Sequence, residues 1–384
     1  MITIRRGSRI YKLLSILAYV GEYPMQSLHY LGSTTGWTNY ILQLCHQQEF
    51  KIPESNQVLT GRLLQISGSD EYRGVYLYKG GLPILKQAIP EAYEYYTARY
   101  PNYFHSARLR EVERVHRLAE VVAFCERANI KTCQYELPEL QLRQRKTIVP
   151  DEPCFYMSWE IKNADDDGGK RTMFSRIAGM IFYPGGWYAV YHSRNAVMNW
   201  NGGGELKARN YMATVANYNA CYTEVKKGIL LGEDYTLAKR TLAYLDSIKP
   251  TETKFSKIFE YLHFIPTNDF GVRLLKILVT PDWREKLLDL LFDYEDRKKN
   301  TNKIESDAVE NGVYVFSFLD SDIVRLNRMH TTLKSDKTIK MEVICFHEQG
   351  KFLRELLGSS VKLRFVDLNE IEEGIYADWS DESE

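Results

Sequence analysis

Charged residues in the middle of the chain have the types and the spacing of a metal-dependent phosphodiesterase site. Asp151 precedes Glu160-Ile161-Lys162, and a second Glu-x-Lys follows at Glu205-Leu206-Lys207. Two carboxylates can hold a divalent cation, and a nearby lysine can orient or polarise the attacking water. The candidate catalytic residues of a DNA nuclease are therefore Asp151, Glu160, Lys162 and Glu205.

The elements that must position these side chains do not favour such a site. The pattern of Phe155–Lys162 predicts one extended strand, and at ~3.3 Å per residue Asp151 and Glu160 would lie roughly 30 Å apart. Glu205 follows three glycines and opens a predicted helix, Glu205–Tyr218, in which an acid is a favourable first-turn residue. The acids that would share a metal ion are therefore expected to lie apart.

The strand pair that ought to carry a nuclease site has no acid in the required place. We predict these strands over Ile177–Tyr183 and Trp187–Ser193, and Gly179 stands where a carboxylate would be wanted. We therefore expect no catalytic residue, no bound metal and no cofactor, and a binding protein rather than an enzyme. A nuclease that uses Glu160-Ile161-Lys162 stays open as an alternative.

Polar and basic side chains near the amino end of the chain suit a nucleic acid. Hydroxyl and amide groups can hydrogen-bond phosphates or base edges, and the Asn and Gln amides suit adenine. The candidates for these contacts are Thr34, Thr35, Thr38, Asn39 and Gln43. Lysine and arginine neutralise phosphates, and the candidates for that role are Arg5, Arg6, Lys51, Arg62 and Arg73.

Three short helices are predicted to position these residues. Apolar residues recur at helical spacing in Arg9–Gly21, where the glycine is a stop signal. Pro24 starts a second short helix, Met25–Leu31. The capping cluster Ser33-Thr34-Thr35 precedes a third helix, Trp37–Gln48. Three short helices joined by tight turns are typical of a helix-turn-helix unit.

A hairpin and a further helix complete the predicted amino-terminal domain, residues 1–92. The segments Leu59–Ser67 and Gly74–Lys79 have β-strand patterns on either side of a polar hinge, and Leu82–Ala88 has a helical one. Helices followed by a hairpin are the order of a winged helix, in which the third helix enters the major groove and the hairpin contacts the backbone or the minor groove. A winged helix that contacts only proteins stays open, and the chain would then be a protein-binding scaffold.

A long amphipathic helix is predicted in the region that follows, residues 93–140. Apolar residues recur at steps of three and four through Ala107–Ala128, and Arg and Glu residues on the other face can form charge pairs. We expect this connecting helix to be solvated or to pair with a second copy of the chain. A phosphate-binding ridge of arginines is the alternative.

The rear half is predicted to be α/β. Residues 141–300 are expected to form a β-rich α/β domain, and the charged segment Glu295–Asp307 is the best linker. Buried strands that alternate with helices predict a small parallel sheet in residues 308–369. Asp320, Asp322, His347 and Asp367 would lie at its carboxyl edge, as helix caps or as site residues. An acidic tail, residues 370–384, completes the chain.

Composition and charge restrict the class of protein. No apolar run approaches the ~18 residues that span a bilayer, so no membrane partner is expected. The six cysteines are scattered without a Cys-x-x-Cys pair, which suits reduced thiols in the cytoplasm. Residues 1–150 hold 19 Lys and Arg against 13 Asp and Glu, whereas the remainder holds 31 against 37. A basic front and an acidic rear fit a polyanion-binding amino-terminal domain.

The chain resembles the replication-relaxation proteins of phages, plasmids and conjugative elements. The resemblance is strongest over residues 8–130, with the segment RVHRLAEVVAFCERANI, and continues through FYMSWEIK and SRIAGMIFYPGGWYAVYHSRNAVMNW. It implies a winged helix ahead of a domain related to restriction-endonuclease-like nucleases. It also implies a function in the DNA transactions of mobile genetic elements.

We therefore expect a multidomain protein of α+β or α/β class that binds double-stranded DNA in the cytoplasm. It would serve a mobile element as an accessory or regulatory factor in replication, transfer or transcription control. The rear half would be a nuclease-like shell without an active site that recruits a protein partner or a second copy of the chain.

Overall fold

The chain forms two compact units, each of which mixes helices with small sheets. The mixed α/β class expected from the sequence is confirmed at this level. The first unit contains residues 1–139 and 155–157, and the second contains the rest. Within the described residues, no helix has both the length and the apolar composition of a membrane span. The computed structural model describes residues 1–53, 56–100, 109–200, 203–223, 226–247, 254–299 and 304–377.

The first unit is built from short elements. Its helices are α1 (Arg9–Val20), α2 (Thr34–Leu44), α3 (Leu82–Ala88), α4 (Pro90–Arg99) and α5 (Leu109–Arg127). Its strands are β1 (Ile2–Thr3), β2 (Glu22–Pro24), β3 (Gln48–Ile52), β4 (Gln57–Gly61), β5 (Leu64–Ser67) and β6 (Gly74–Leu77). Turns of 3-10 helix span Met25–Tyr30, Asp70–Tyr72, Lys79–Gly81 and Gln134–Glu136.

Residues at both ends fix the limits of α1. The Ser8 hydroxyl accepts a hydrogen bond from the Tyr11 backbone N–H at 3.3 Å and so caps the first turn. Gly21 follows the last residue at a φ of +84°, where a side chain would strain the backbone. The apolar residues between these ends are buried. The helix predicted over Arg9–Gly21 is confirmed.

The next two predicted helices exist with different limits. The segment predicted as the second helix forms a 3-10 helix over Met25–Tyr30. The third helix, α2, begins three residues earlier than predicted, because the Ser33 hydroxyl accepts from the Gly36 N–H at 3.4 Å. It ends at Leu44, because the chain from Gln48 onward enters strand β3. The sequence pattern did not predict β3.

Two three-stranded sheets replace the single predicted hairpin. The arm Leu59–Ser67 was wrong as one strand, because it is broken into β4 and β5. In the first sheet, β3 pairs with β4 in antiparallel and with β1 in parallel orientation. In the second sheet, β6 lies between β2 and β5 and is antiparallel to both. The break is held at Leu63, whose N–H donates to Leu44 O at 3.1 Å and whose carbonyl accepts from Tyr78 N at 2.9 Å.

Helix α5 lies within the first unit and packs against α1 and β2. His116 is fully buried on α5, with its Nε2 3.1 Å from Glu22 Oε1 on β2. The Glu126 carboxylate, on the same helix, accepts from the Tyr19 hydroxyl of α1 at 2.6 Å. Buried polar contacts thus attach this helix to its own unit, and the solvated helix expected from the sequence is wrong over this face. Ala107 and Arg108, which belong to the predicted helix, lie outside the described residues.

The second unit contains most of the remaining elements. Strand β7 (Cys154–Met157) is divided between the units. The helices are α6 (Ser158–Asn163), α7 (Gly168–Arg171), α8 (Gly203–Ala220), α9 (Tyr235–Ser247), α10 (Phe255–Ile258), α11 (Asp269–Leu278), α12 (Trp283–Leu291), α13 (Tyr294–Lys298), α14 (Ile323–Ser335), α15 (His347–Leu357) and α16 (Leu368–Tyr376). The strands are β8 (Ile177–Tyr183), β9 (Gly186–His192), β10 (Lys227–Gly232), β11 (Tyr261–Pro266), β12 (Ala308–Glu310), β13 (Val313–Ser317), β14 (Met341–Phe346) and β15 (Lys362–Val366).

The larger sheet of this unit has a buried centre. Its order is β11-β10-β9-β8, with β10 parallel to both neighbours and β8 antiparallel to β9. All seven residues of β9 are buried, which is typical of a strand that is covered on both faces. The predicted strand pair Ile177–Tyr183 and Trp187–Ser193 is confirmed, with Gly179 opposite Val190.

The strand predicted over Phe155–Lys162 is wrong in its second half. Strand β7 ends at Met157, and the six residues of α6 follow without a break. Ser158 and Ile161 are buried in this helix, whereas Trp159 is 37% exposed. A short alternation of apolar and polar residues fits a strand or one helical turn equally well, so burial of particular side chains decided between them.

The smaller sheet has the parallel strands that were predicted, and it belongs to the same compact unit as the larger sheet. Strands β13, β14 and β15 are parallel and alternate with α14 and α15, and β12 adds an antiparallel edge that was not predicted. The Asp322 carboxylate accepts from the N–H groups of Val324 and Arg325 at 2.8 and 3.2 Å, and Asp367 caps α16. His347 stacks on Phe365 at 4.7 Å. Two of the acids at the carboxyl edge are therefore helix caps.

Candidate nucleic-acid interface

Helix α2 presents a polar, uncharged face to solvent. Trp37, Ile41 and Leu44 are buried on its other side. Positions 35, 39 and 43 are four residues apart and therefore lie on one side of the helix. Of the predicted contact residues, Thr38 is half-buried and the exposed ones are Thr34, Thr35, Asn39 and Gln43. This face can form directional hydrogen bonds, but it has no charge of its own to attract a phosphate.

Arg9 supplies a cation beside the first turn of α2, and the sequence patterns did not point to it. Its guanidinium carbon lies 4.0 Å from the centre of the Trp37 ring and 5.1 Å from that of Tyr40. A β-carbon added at Gly36 would lie 3.5 Å from its Nη2. The N-terminus of a helix has a partial positive charge, so an anion bound there is stabilised both by the helix and by the Arg9 guanidinium, which the two rings hold in place. Arg9 forms no ion pair within the described residues, and this end of α2 suits a phosphate.

The predicted phosphate contacts lie in different environments. Arg5 and Arg6 are exposed ahead of α1, and Arg6 pairs with Glu136 at 3.7 Å, with both side chains at least half exposed. Arg62 lies 4.6 Å over the Tyr78 ring, and its Nε donates to Leu64 O at 3.0 Å. Since the fold itself uses Arg62, it is the weakest candidate of the three.

The remaining two predicted cations lie on the two hairpins. Lys51 is half-buried on β3, whereas Arg73 is exposed at the tip of the hairpin that β5 and β6 form. That tip also contains the exposed acids Asp70 and Glu71. These acids oppose phosphate binding at the tip, so Arg73 is a weaker candidate for a phosphate contact than its exposure alone suggests.

The structure does not bring the nuclease candidates together in the predicted pattern. Glu160 and Lys162 lie two positions apart on α6, and residues at that spacing point to different sides of a helix. Asp151 is exposed in a bend that precedes β7. The adjacent-strand geometry of a Glu-x-Lys site is therefore absent at this segment. Within the described parts of the chain, no group of three His, Cys, Asp or Glu side chains is placed to hold a metal ion.

Glu205 is buried inside the second unit, with 3% of its surface exposed. Its Oε1 accepts from the Arg176 backbone N–H at 2.7 Å, and its carboxyl group faces the phenol of Tyr191. Burial raises the pKa of Glu205 to about 7, although the Arg176 N–H and the Tyr191 hydroxyl partly offset this. Glu205 therefore tethers the loop before β8 to α8 and is not an exposed metal ligand.

A cleft of about 640 Å³ lies in the second unit. Its most buried charge is Arg325, which is 3% exposed and pairs with Glu305 and Asp307, each at 2.7 Å. Arg284 on the opposite wall lies 3.5 Å from both Asp307 and Asp320. Of this cluster, only Asp320 stood out as a candidate site residue in the sequence, because the other members are brought to it by folding from separate segments of the chain. The three carboxylates outnumber these two guanidinium groups, and Arg328, 3.4 Å from Glu305, supplies the third cation. Each charge in the cluster therefore already has a partner within the protein.

Comparison of the chain with models of protein families, with curated proteins and with solved structures finds no match. The resemblance to replication-relaxation proteins stays a prediction.

Proposed function

We propose that the first unit is a winged-helix module that binds duplex DNA, with α2 as the recognition helix. The observation that supports the proposal best is the strand order β2-β6-β5. In a winged helix, a short strand after the first helix pairs with the hairpin that follows the third helix. Here β2 follows α1, and the β5–β6 hairpin follows α2. The hairpin of β3 and β4 would be an insertion between the recognition helix and the wing.

The neutral face of α2 and the charged Arg9 side chain would make two different kinds of contact, one with bases and one with a phosphate. Asn39 and Gln43 would face base edges from a neutral helix, since amides hydrogen-bond adenine in the major groove. Arg9, which belongs to α1 but lies beside the first turn of α2, would hold a phosphate. That contact would fix the depth and register of α2 in the groove. We expect sequence preference from the amides and salt-dependent affinity from the arginine.

The biological setting is proposed from the family resemblance. The chain would act in the cytoplasm as an accessory or regulatory factor in the replication, transfer or transcription control of a mobile element. The second unit would be a nuclease-like shell without an active site, because β8 has Gly179 where a catalytic carboxylate belongs. It would then recruit a protein partner or a second copy of the chain.

Replacing Arg9 by alanine is expected to reduce the slope of log affinity against log salt by about one, because one phosphate contact is lost. Asn39→Ala should instead reduce discrimination between sequences and leave the slope unchanged. The measurement is fluorescence anisotropy of the full chain with labelled 30-base-pair duplexes between 50 and 200 mM salt.

Two controls accompany this titration. Arg9→Lys keeps the charge and should keep the slope, and Lys351→Ala removes an exposed charge from the second unit and should change nothing. If the full chain shows no binding at ~50 mM salt, where phosphate contacts are strongest, duplex binding is excluded. A slope that falls equally in the Arg9 and Lys351 variants would show that binding is not localised at α2.

A further inference from the structure

Phe174 is displayed to solvent on the loop between α7 and β8. Its surface is 85% exposed, and that of its neighbour Met173 is 54% exposed. The backbone of Phe174 has a φ of +66°, in the left-handed region that bulky residues rarely occupy. A large apolar ring is thus held in water on a backbone conformation that is unfavourable for a bulky residue.

The loop is anchored on both sides of Phe174. The Thr172 hydroxyl donates to Gly168 O, and the Ser175 hydroxyl donates to Thr172 O, both at 2.8 Å. On the carboxyl side, the Arg176 N–H donates to the buried carboxylate of Glu205. The backbone of Phe174 also lies against α8, where a β-carbon added at Gly204 would be 3.2 Å from its carbonyl. The exposed ring therefore belongs to a defined conformation.

Cations lie on both sides of the exposed ring. Arg171 and Arg176 flank it along the chain, and Lys207 lies one turn beyond Gly204 on α8; all three are exposed. None of the three forms an ion pair within the described part of the chain. Lys170 is also exposed, but it pairs with Asp167 at 3.0 Å. Arg171 also lies 5.4 Å over the Tyr211 ring. The surface thus combines one projecting aromatic ring with three exposed cations that have no carboxylate paired with them at salt-bridge distance.

We propose that this loop is a second nucleic-acid contact, in which Phe174 stacks on an unpaired or unstacked base and the three cations hold the adjoining phosphates. Stacking on aromatic side chains is how single strands are bound with little sequence preference. The contact lies in the second unit and does not depend on duplex binding by the first. The chain would thereby bind melted or single-stranded DNA as well as duplex.

The observations favour a nucleic acid over a lipid surface. Membrane attachment requires a broad apolar face, whereas only Met173 and Phe174 project from this loop. The acidic run Asp165-Asp166-Asp167 precedes the loop and would meet the surface of an anionic bilayer. A single base with its two phosphates is small enough to contact the ring and the cations without covering that run.

The test is anisotropy of the full chain with a labelled 20-nucleotide oligothymidylate at fixed salt. We expect Phe174→Ala to weaken binding roughly 5- to 100-fold, the range that base–aromatic stacking spans. Phe174→Tyr should retain the affinity of the original chain, because its ring can still stack. Phe174→Leu should be as weak as the alanine variant, because it is apolar but cannot stack.

The matched control is Tyr294→Ala, which removes another exposed ring of the second unit. That ring is 66% exposed and already has the Lys298 ammonium 4.1 Å from its centre. Unchanged affinity in Phe174→Ala, or equal losses in the Phe174 and Tyr294 variants, would overturn the proposal. The proposal would also be overturned if Phe174→Ala lost sedimentation with phosphatidylserine vesicles but kept its affinity for oligothymidylate.

A variant that relieves the strain separates binding from folding. Phe174→Gly suits a positive φ, so its thermal midpoint should not fall although single-strand affinity does. Duplex affinity should persist in Phe174→Ala and be lost in variants of α2. If Phe174→Ala left single-strand affinity unchanged while variants of α2 lost duplex affinity, this site would be rejected and the winged-helix proposal would stand.

Discussion

Replacing Arg325 by methionine is expected to lower the free energy of unfolding by about 3–5 kcal/mol, because it breaks a buried ion-pair network and leaves its carboxylates with only the longer contacts to Arg284 and Arg328. Burial opposes the charge on the guanidinium, but the carboxylates of Asp307, Asp320 and Glu305 outweigh burial and raise the pKa of Arg325. The side chains of Asp307 and Asp320 are themselves only 4% and 3% exposed. Removal of the cation therefore leaves largely buried carboxylates with less counter-charge than they have in the original chain.

Urea unfolding followed by fluorescence and by circular dichroism will measure this loss. The matched control is Arg328→Met, one turn further along α14, whose side chain is 44% exposed and pairs with Glu305 at 3.4 Å. An exposed pair of this kind contributes about 0–1 kcal/mol. Asp307→Asn added to Arg325→Met should recover part of the loss. A loss below 1 kcal/mol for Arg325→Met would show that water solvates the acids of the network.

Replacing Glu205 by glutamine is expected to stabilise the chain at pH 8 by up to about 3 kcal/mol and to change stability little at pH 5. The folded chain raises the pKa of Glu205 from 4.5 to about 7, chiefly by burial. Between these values the folded state keeps a proton that the unfolded state releases. Stability therefore falls as the pH rises from 4.5 and levels off above 7, and the shift sets the size of the loss.

The measurement is urea unfolding from pH 5 to pH 8 for the original chain and the variant. Glutamine keeps the oxygen that accepts the Arg176 N–H, so the loop tether should survive the change. Glu373→Gln is the control, because its side chain is exposed on α16. If the free energy of unfolding changes with pH by the same amount in Glu205→Gln and in the original chain, the Glu205 carboxyl group is not the source of the pH dependence.

Local sequence patterns predicted correctly the elements in which capping residues, apolar periodicity and burial all indicate the same structure. Helix α1 has a capping serine, a regular apolar face and a terminal glycine, so each local signal agrees. Strands β13, β14 and β15 are short, largely apolar segments that alternate with helices, and their parallel pairing follows from that order. In these segments the hydrophobic period is long enough to distinguish strand from helix.

Only the tertiary structure decided the elements and sites that depend on distant partners. The break at Leu63 rests on Leu44 and Tyr78, and the charge network of Arg325 joins residues from 284 to 328. Arg9 reaches the start of α2 because Trp37 provides a ring for its guanidinium. The exposure of Phe174 is equally invisible in the sequence, where an aromatic residue is expected to be buried. Spacing along a chain fixes which side of an element a residue lies on, whereas burial and charge pairing are set by residues that folding brings together.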